Sequence, residues 1–358
     1  MLTQRKFAIT ALIILIITIA AIRYFSSKKD AINTSSIPGK LISTGEKFCP
    51  DGFIKVPGDS DYSTSDFCLM KYDAKCTNTD PKCVTKEGVY KNNEPGCECQ
   101  GNFQIVSTML GAPITFIPED DGTKVSAKTY CQNAGWHLVT NDEWMTVARN
   151  VERVEVNWCN RDGTDCGNPP GTPGKILANG HNDSNPNRAL TASTDNKPCF
   201  GTTTDGSNIC GGESSQKRTL TLSNGEIVWD LAGNIWQWID AEIARKDEPQ
   251  SKTGRILDYR WQWSEFAPGA GASIISSNGT LADKDFRPSN SNWNSNQGVG
   301  RVYHFDQLDD TDTTLYTYIR AGNWRHGYDS GIFTVHLSPV ASKTGIDDVG
   351  FRCATEPK

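Results

Sequence analysis

The chain has 358 residues with a formal net charge of -6 and a pI near 5.5, so it lacks the basic stripe on which nucleic-acid binding depends. Its length suffices for one large domain or two ordinary ones, each with a real core. Charged residues make up only 22%, while Gly, Asn, Ser, Thr and Trp are abundant, a balance that points to a loop-rich domain of short elements, common in extracellular modules.

The N-terminus reads MLTQRKFAITALIILIITIAAIRYF. Residues 1–6 are read as a cytoplasmic N-terminus and residues 7–25 as a single transmembrane anchor: Phe7 to Ile22 carries no charge, and Tyr24, Phe25 and a snorkelling Arg23 extend the run. A cleaved secretory signal is the alternative, favoured by the small Ala20 and Ala21 but lacking a clear A-x-A site before Arg23. Residues 26–40 are polar, with no periodic apolar face, and read as a flexible spacer. All twelve cysteines follow the apolar run, and an even number there implies a disulfide framework in an oxidising compartment. The expected location is therefore the cell membrane, single-pass, with the C-terminal part extracytoplasmic. A zinc reading of the CECQ stretch lacks facing CxxC pairs and a nearby His.

Residues 41–100 form a cysteine-rich N-terminal part, with a strand expected at Phe67–Tyr72. Two helices follow. SAKTYCQNAG places Ala127, Tyr130, Cys131 and Ala134 on one face, with Ser126 as N-cap and Gly135 as the stop. TNDEWMTVARNV opens with Thr140 and Glu143 in capping-box spacing and then lines up Trp144, Val147, Ala148 and Val151. From Asn157 to Gln216 the chain is rich in Asn, Asp, Gly and Pro, and the Cys159/Cys166 and Cys199/Cys210 spacings would allow local rings. Asn224-Gly225 signals a hairpin turn. Beyond Trp263 the pattern is irregular until GIFTVHL and DDVGFRCA, which read as terminal strands.

The segments LMKYDAK, YCQNAGWHLVTNDEWMTVARN, GEIVWDLAGNIWQWID, RAGNW and VGFRCA, in that order, resemble the formylglycine-generating enzyme (sulfatase-modifying factor) family across residues 60–358. The resemblance implies an α+β, elaborated C-type-lectin-like domain with short strands and two main helices, behind the N-terminal transmembrane helix. The family's oxidases carry a copper-binding cysteine pair after their RGG-S/N-W segment, and here the matching positions fall close to His326 and Gly331. One imidazole cannot replace two thiolates in a copper(I) site. The five histidines, scattered at His137, His181, His304, His326 and His336, also lack the pattern of the family's iron-dependent relatives.

The chain is thus expected not to be an enzyme and to need no cofactor. It is most similar to the family's non-catalytic display branch, which includes variable proteins diversified by retroelements. There the C-terminal strip, here about 320–352, binds a protein or cell-surface ligand. The expected ligand-binding residues are Trp324, Arg325, His326, Tyr328, Asp329, Thr334, His336 and Ser338. In GIFTVHLS, strand alternation turns Thr334, His336 and Ser338 outward and Phe333, Val335 and Leu337 inward. The alternatives are an oxidase with an atypical centre and a structural, pilus-associated surface component. The family's GN-V-W-E-W motif implies possible calcium binding at Asn234 and Gln237, weakened because Gln237 stands where a carboxylate is usual. The fold also implies a Cys131–Cys353 disulfide from the first helix to the last strand.

Overall fold

The computed structural model describes residues 47–118, 125–192, 195, 216–251, 261–267, 274–276, 281–305, 311, 313–337 and 345–358. The expected anchor and spacer, Cys199, Cys210 and Ser338 lie outside them. Among the described residues no helix is long and apolar enough to cross a membrane. Lys47–Lys358 forms a compact unit, whose described residues make a loop-rich α+β fold with two α-helices and many short strands.

Both helices start where their caps dictate. In α1 (Ala127–Asn133) the Ser126 side chain accepts from the Thr129 N–H, and Gly135, at φ +78°, turns the chain away. In α2 (Asn141–Glu152) Thr140 and Glu143 form the reciprocal capping box. Trp144, Val147, Ala148 and Val151 of α2 are buried in the larger hydrophobic cluster, and Trp144 Nε1 donates to the carbonyl of Ile332 at 2.8 Å, fixing the helix to the C-terminal strip.

A four-stranded antiparallel sheet has the order β1 (Phe53–Val56), β2 (Phe67–Met70), β10 (Cys353–Thr355), β3 (His137–Leu138). The cysteine-rich segment is therefore not a separate module, because two of its strands share a sheet with the end of the chain. Backbone hydrogen bonds in both directions between Phe48 and Lys358 close the unit. A six-stranded mixed sheet has the order β5 (Trp261–Ser264), β6 (Val302–Phe305), β8 (Val335–His336), β7 (Leu315–Arg320), β4 (Trp236–Ala244), β9 (Val349–Phe351). The strand expected at 67–72 ends at Met70. The Asn224-Gly225 turn joins the paired strands Thr219–Thr221 and Ile227–Trp229, with Gly225 at φ +88°.

Among the described residues five disulfides staple the unit: Cys49–Cys68, Cys76–Cys99, Cys83–Cys97, Cys131–Cys353 and Cys159–Cys166. No described cysteine is free. This density of disulfides indicates an extracytoplasmic domain. Cys131–Cys353, with a sequence separation of 222, ties α1 to the last strand as the resemblance implies.

Candidate functional site

The register of the six-stranded sheet decides which side chains meet. Trp263 lies opposite Tyr303, Tyr303 beside His336, and His336 opposite Ile319. Further along, Trp238 lies opposite Ile319 and beside Phe351, and Trp236 beside Val349. Because successive side chains alternate between faces, these residues and Trp261 share one face. The opposite face carries Val302, Val335, Tyr318 and Ile239 into the core that contains α2.

On the shared face the rings form a continuous group. Tyr303 contacts Trp263 at 4.8 Å, His336 edge-on at 4.6 Å and Trp261 in a stacked pair at 5.5 Å between centroids. His326, from the turn after Trp324, adds a second imidazole 5.1 Å from Trp236 and 5.5 Å from Trp263. His336 also lies 5.9 Å from Trp236. These separations are those of favourable edge-to-face and offset aromatic pairs. Trp261, Trp263, Tyr303, His326 and His336 are each half-buried. Past the end of β4 the Arg245 guanidinium sits 4.5 Å from the Phe305 ring centre and 4.7 Å from that of Tyr316.

The imidazoles are uncharged at neutral pH. Burial, aided by the positive Arg325, pushes His326 down to about 4, and burial, aided by His326, pushes His336 down to about 3. The Asn323 backbone N–H donates to His326 Nδ1 at 3.3 Å, which leaves the proton of the neutral ring on Nε2. His336 Nε2 is buried without a hydrogen-bond partner. Beside them burial, together with Asp347, pushes Asp348 up to about 6 although Arg325 and an Asn323 hydrogen bond oppose it. Arg325 pairs with Asp347 at 3.7 Å on the surface.

The structure divides the expected ligand-binding strip. Arg325 is exposed, and Tyr328, at 58% exposure, is the most open ring of the strip, with the Arg161 guanidinium 4.9 Å from its centre. His326, Asp329 and His336 are half-buried, and Asp329 bonds Arg301 at 3.1 Å. Trp324 is a correction: it is 0% exposed, enclosed by Val89, Ala189, Ile235 and Phe116. Its backbone accepts from Ser184 and donates to Asn234, which anchors the turn inside the unit. Thr334 is a second correction, buried with its hydroxyl donating to the Asp329 carbonyl. Thr334 departs from strand alternation because only Val335 and His336 of GIFTVHL are strand. Upstream the chain turns through Gly327–Asp329, and Ile332, Phe333 and Thr334 are all buried in succession. Phe333, Val335 and Leu337 do point inward. Trp261, Trp263 and Tyr303 belong to the face and lay outside the expected set. Their signal was the alternation of large rings in Trp261-Gln262-Trp263 and Tyr303-His304-Phe305.

No protein-family model matches this chain, and no curated protein does.

Calcium at Asn234 and Gln237 does not fit the residues. Asn234 Oδ1 accepts the Leu190 N–H at 2.8 Å and its Nδ2 donates to the Leu190 carbonyl at 3.2 Å. Gln237 Oε1 accepts from Arg352 Nε at 2.7 Å and its Nε2 donates to the Asp230 carbonyl at 3.0 Å. The adjacent carboxylates of Asp73 and Asp230 are bonded to Arg352 and Arg218, each at 2.6 Å. Calcium needs several free, preferably anionic oxygens, whereas these oxygens already face N–H donors and two guanidinium groups. Among the described residues no cluster of three His, Cys, Asp or Glu side chains is arranged to hold a metal ion.

Gly331 bears on the second of the two thiol positions that the resemblance places near His326 and Gly331. A Cβ built on it would overlap the backbone of Val299 and Gly300, so a side chain at this position has no room.

Proposed function

We propose that this chain is a membrane-anchored, externally displayed binding protein on an elaborated C-type-lectin-like fold of the formylglycine-generating type, without catalysis. Its ligand is a protein or cell-surface structure. It contacts the half-open ring face of Trp261, Trp263, Tyr303, His326 and His336 and the adjoining Arg325 and Tyr328. The single observation that carries this reading is the partial exposure of large, rigid rings on one face of a sheet whose other face packs Val302, Val335, Tyr318 and Ile239 into the core. Aromatic and Arg side chains bring large contact area at low entropic cost, which is why they dominate binding hot spots. The overlap at Gly331 supports the non-catalytic part, since the second thiol of an oxidase pair would need space there. If the strip is diversified by a retroelement, the buried Trp324 and Thr334 are framework, and among the described residues variation falls on Arg325, His326, Tyr328, Asp329 and His336.

The test compares the purified full chain with a Trp263→Ala/Tyr328→Ala variant for binding to intact cells. Binding that the variant loses while its melting temperature falls by only a few degrees is the expected result. Equal binding by both proteins would reject the face as the contact surface. Oxygen consumption on a cysteine-containing peptide with added copper would overturn the non-catalytic reading.

A further inference from the structure

Residues 181–186, HNDSNP, run beside the turn that opens the C-terminal strip. The Ser184 N–H donates to the Trp324 carbonyl at 2.7 Å, and the Gly327 N–H donates to the Asn182 carbonyl at 2.8 Å. Within this segment two acceptor groups face each other with no donor between them.

The first is an imidazole. His181 is fully buried, and its Nε2 lies 2.9 Å from the Arg188 carbonyl. A carbonyl only accepts, so Nε2 carries the proton and the neutral ring presents a lone pair at Nδ1. That Nδ1 is buried without a hydrogen-bond partner. The second group is the Asp183 carboxylate, whose Oδ1 is 3.5 Å from His181 Nδ1. Oδ1 accepts the Asn185 N–H at 3.0 Å, which fixes the carboxylate, while the buried Oδ2 has no partner. Among the described residues no lysine or arginine pairs with Asp183.

Three species could stand between such groups. An imidazolium would leave Nδ1 3.5 Å from Oδ1, well beyond the roughly 2.7–2.9 Å of a charge-assisted hydrogen bond. A water could donate to both acceptors but would leave a largely enclosed carboxylate charge uncompensated. A metal cation accepts the lone pair and neutralises the charge at once. Two donors held at about 2.0–2.1 Å by a tetrahedral ion lie about 3.3–3.4 Å apart, close to the separation here. One imidazole with one carboxylate suits zinc, whereas copper(I) prefers thiolates and calcium needs several oxygens. We propose that His181 Nδ1 and the Asp183 carboxylate bind a zinc ion, with water in its remaining positions, and that the ion holds residues 181–186 against the turn of the strip.

The experiment uses the full chain after dialysis against a chelator, with zinc chloride as the probe, read by calorimetry and amide hydrogen exchange. One zinc ion should bind per chain and should slow exchange of the Ser184 and Gly327 amides. Asp183→Asn should weaken binding by at least about tenfold, since even the groups that only orient a metal ligand are worth 10–100-fold. It keeps an oxygen for the Asn185 N–H, so it decides the matter should the companion variant His181→Gln fold poorly. Calcium and magnesium at equal concentration should not displace the zinc. His326→Gln/His336→Gln, on the ring face, should bind zinc unchanged, so failure here and failure of the ring-face reading are distinguishable. Absence of binding at about 100 μM zinc would overturn the proposal. So would zinc binding that Asp183→Asn leaves intact, that the ring-face variant loses, that calcium displaces, or that leaves exchange of the two amides unchanged.

Discussion

One face of the six-stranded sheet has two halves that carry similar side chains and have different surroundings. On β4 and β9, Trp236, Trp238, Val349 and Phe351 are buried under α1 and the cysteine-rich segment, with Tyr130 stacked 6.1 Å from Phe351. Trp238 Nε1 finds the Ile117 carbonyl at 3.2 Å. On β5, β6 and β8, Trp261, Trp263, Tyr303 and His336 are only half-buried. Aromatic character alone therefore did not decide burial. The difference is an element tied over one half, and the tie is the Cys131–Cys353 bond together with the sheet formed by β1, β2, β10 and β3.

The largest effect should come from cutting that tie. Cys131→Ser/Cys353→Ser should lower unfolding stability by about 5 kcal/mol, as the chain-entropy model gives for a loop of this length, measured by denaturant titration. Phe351→Ala on the covered half and Trp324→Ala in the strip should each cost about 3–5 kcal/mol, the usual loss for a buried large ring. A Trp324→Ala protein as stable as the parent would contradict the enclosure of that ring. Trp263→Ala on the open half should cost about 1–2 kcal/mol, since only part of its surface leaves water. Tyr328→Ala should change stability by no more than about 1 kcal/mol, the worth of an exposed cation–π contact such as that with Arg161.

The two imidazoles give a pH test of the open half. A histidine whose pKa falls on folding contributes its full stability above the ordinary value of 6.5. It loses that contribution as the pH falls through about 4 for His326 and about 3 for His336. Burial raises Asp73 and Asp348 to about 6, so they act in the opposite sense: their contribution is present below 3.8 and is lost as the pH rises through 6. A His326→Gln/His336→Gln protein should thus lose less melting temperature than the parent between pH 6.5 and 4. Parallel melting curves for the two proteins would mean that the imidazoles are solvated.

The helices were legible because their determinants are local. Ser126, Thr140 and Glu143 act within one turn, and the apolar stripe of α2 repeats at the helical period. The Asn224-Gly225 turn was legible for the same reason. The strip was only partly so. Its inward residues Phe333, Val335 and Leu337 followed from alternation, but Thr334 did not, since the chain before Val335 is irregular and its hydroxyl bonds Asp329. Trp324 was misread because an aromatic ring in a Gly- and Asn-rich turn looks identical whether it faces solvent or the interior. The role of Asn234 and Gln237 was not legible, because an amide that could ligate calcium can equally accept from Leu190 and Arg352.

By itself the sequence determined the two helices and their caps, the hairpin turn and the disulfide-rich, extracytoplasmic character of the unit, all consequences of short-range geometry or composition. Only the tertiary structure decided that Trp261, Trp263, Tyr303, His326 and His336 form one face, that Trp324 is enclosed, and that residue 331 has no space for a side chain. Each of these depends on strands distant in the chain lying side by side. Register across β5, β6, β8 and β7 is a property of the folded sheet.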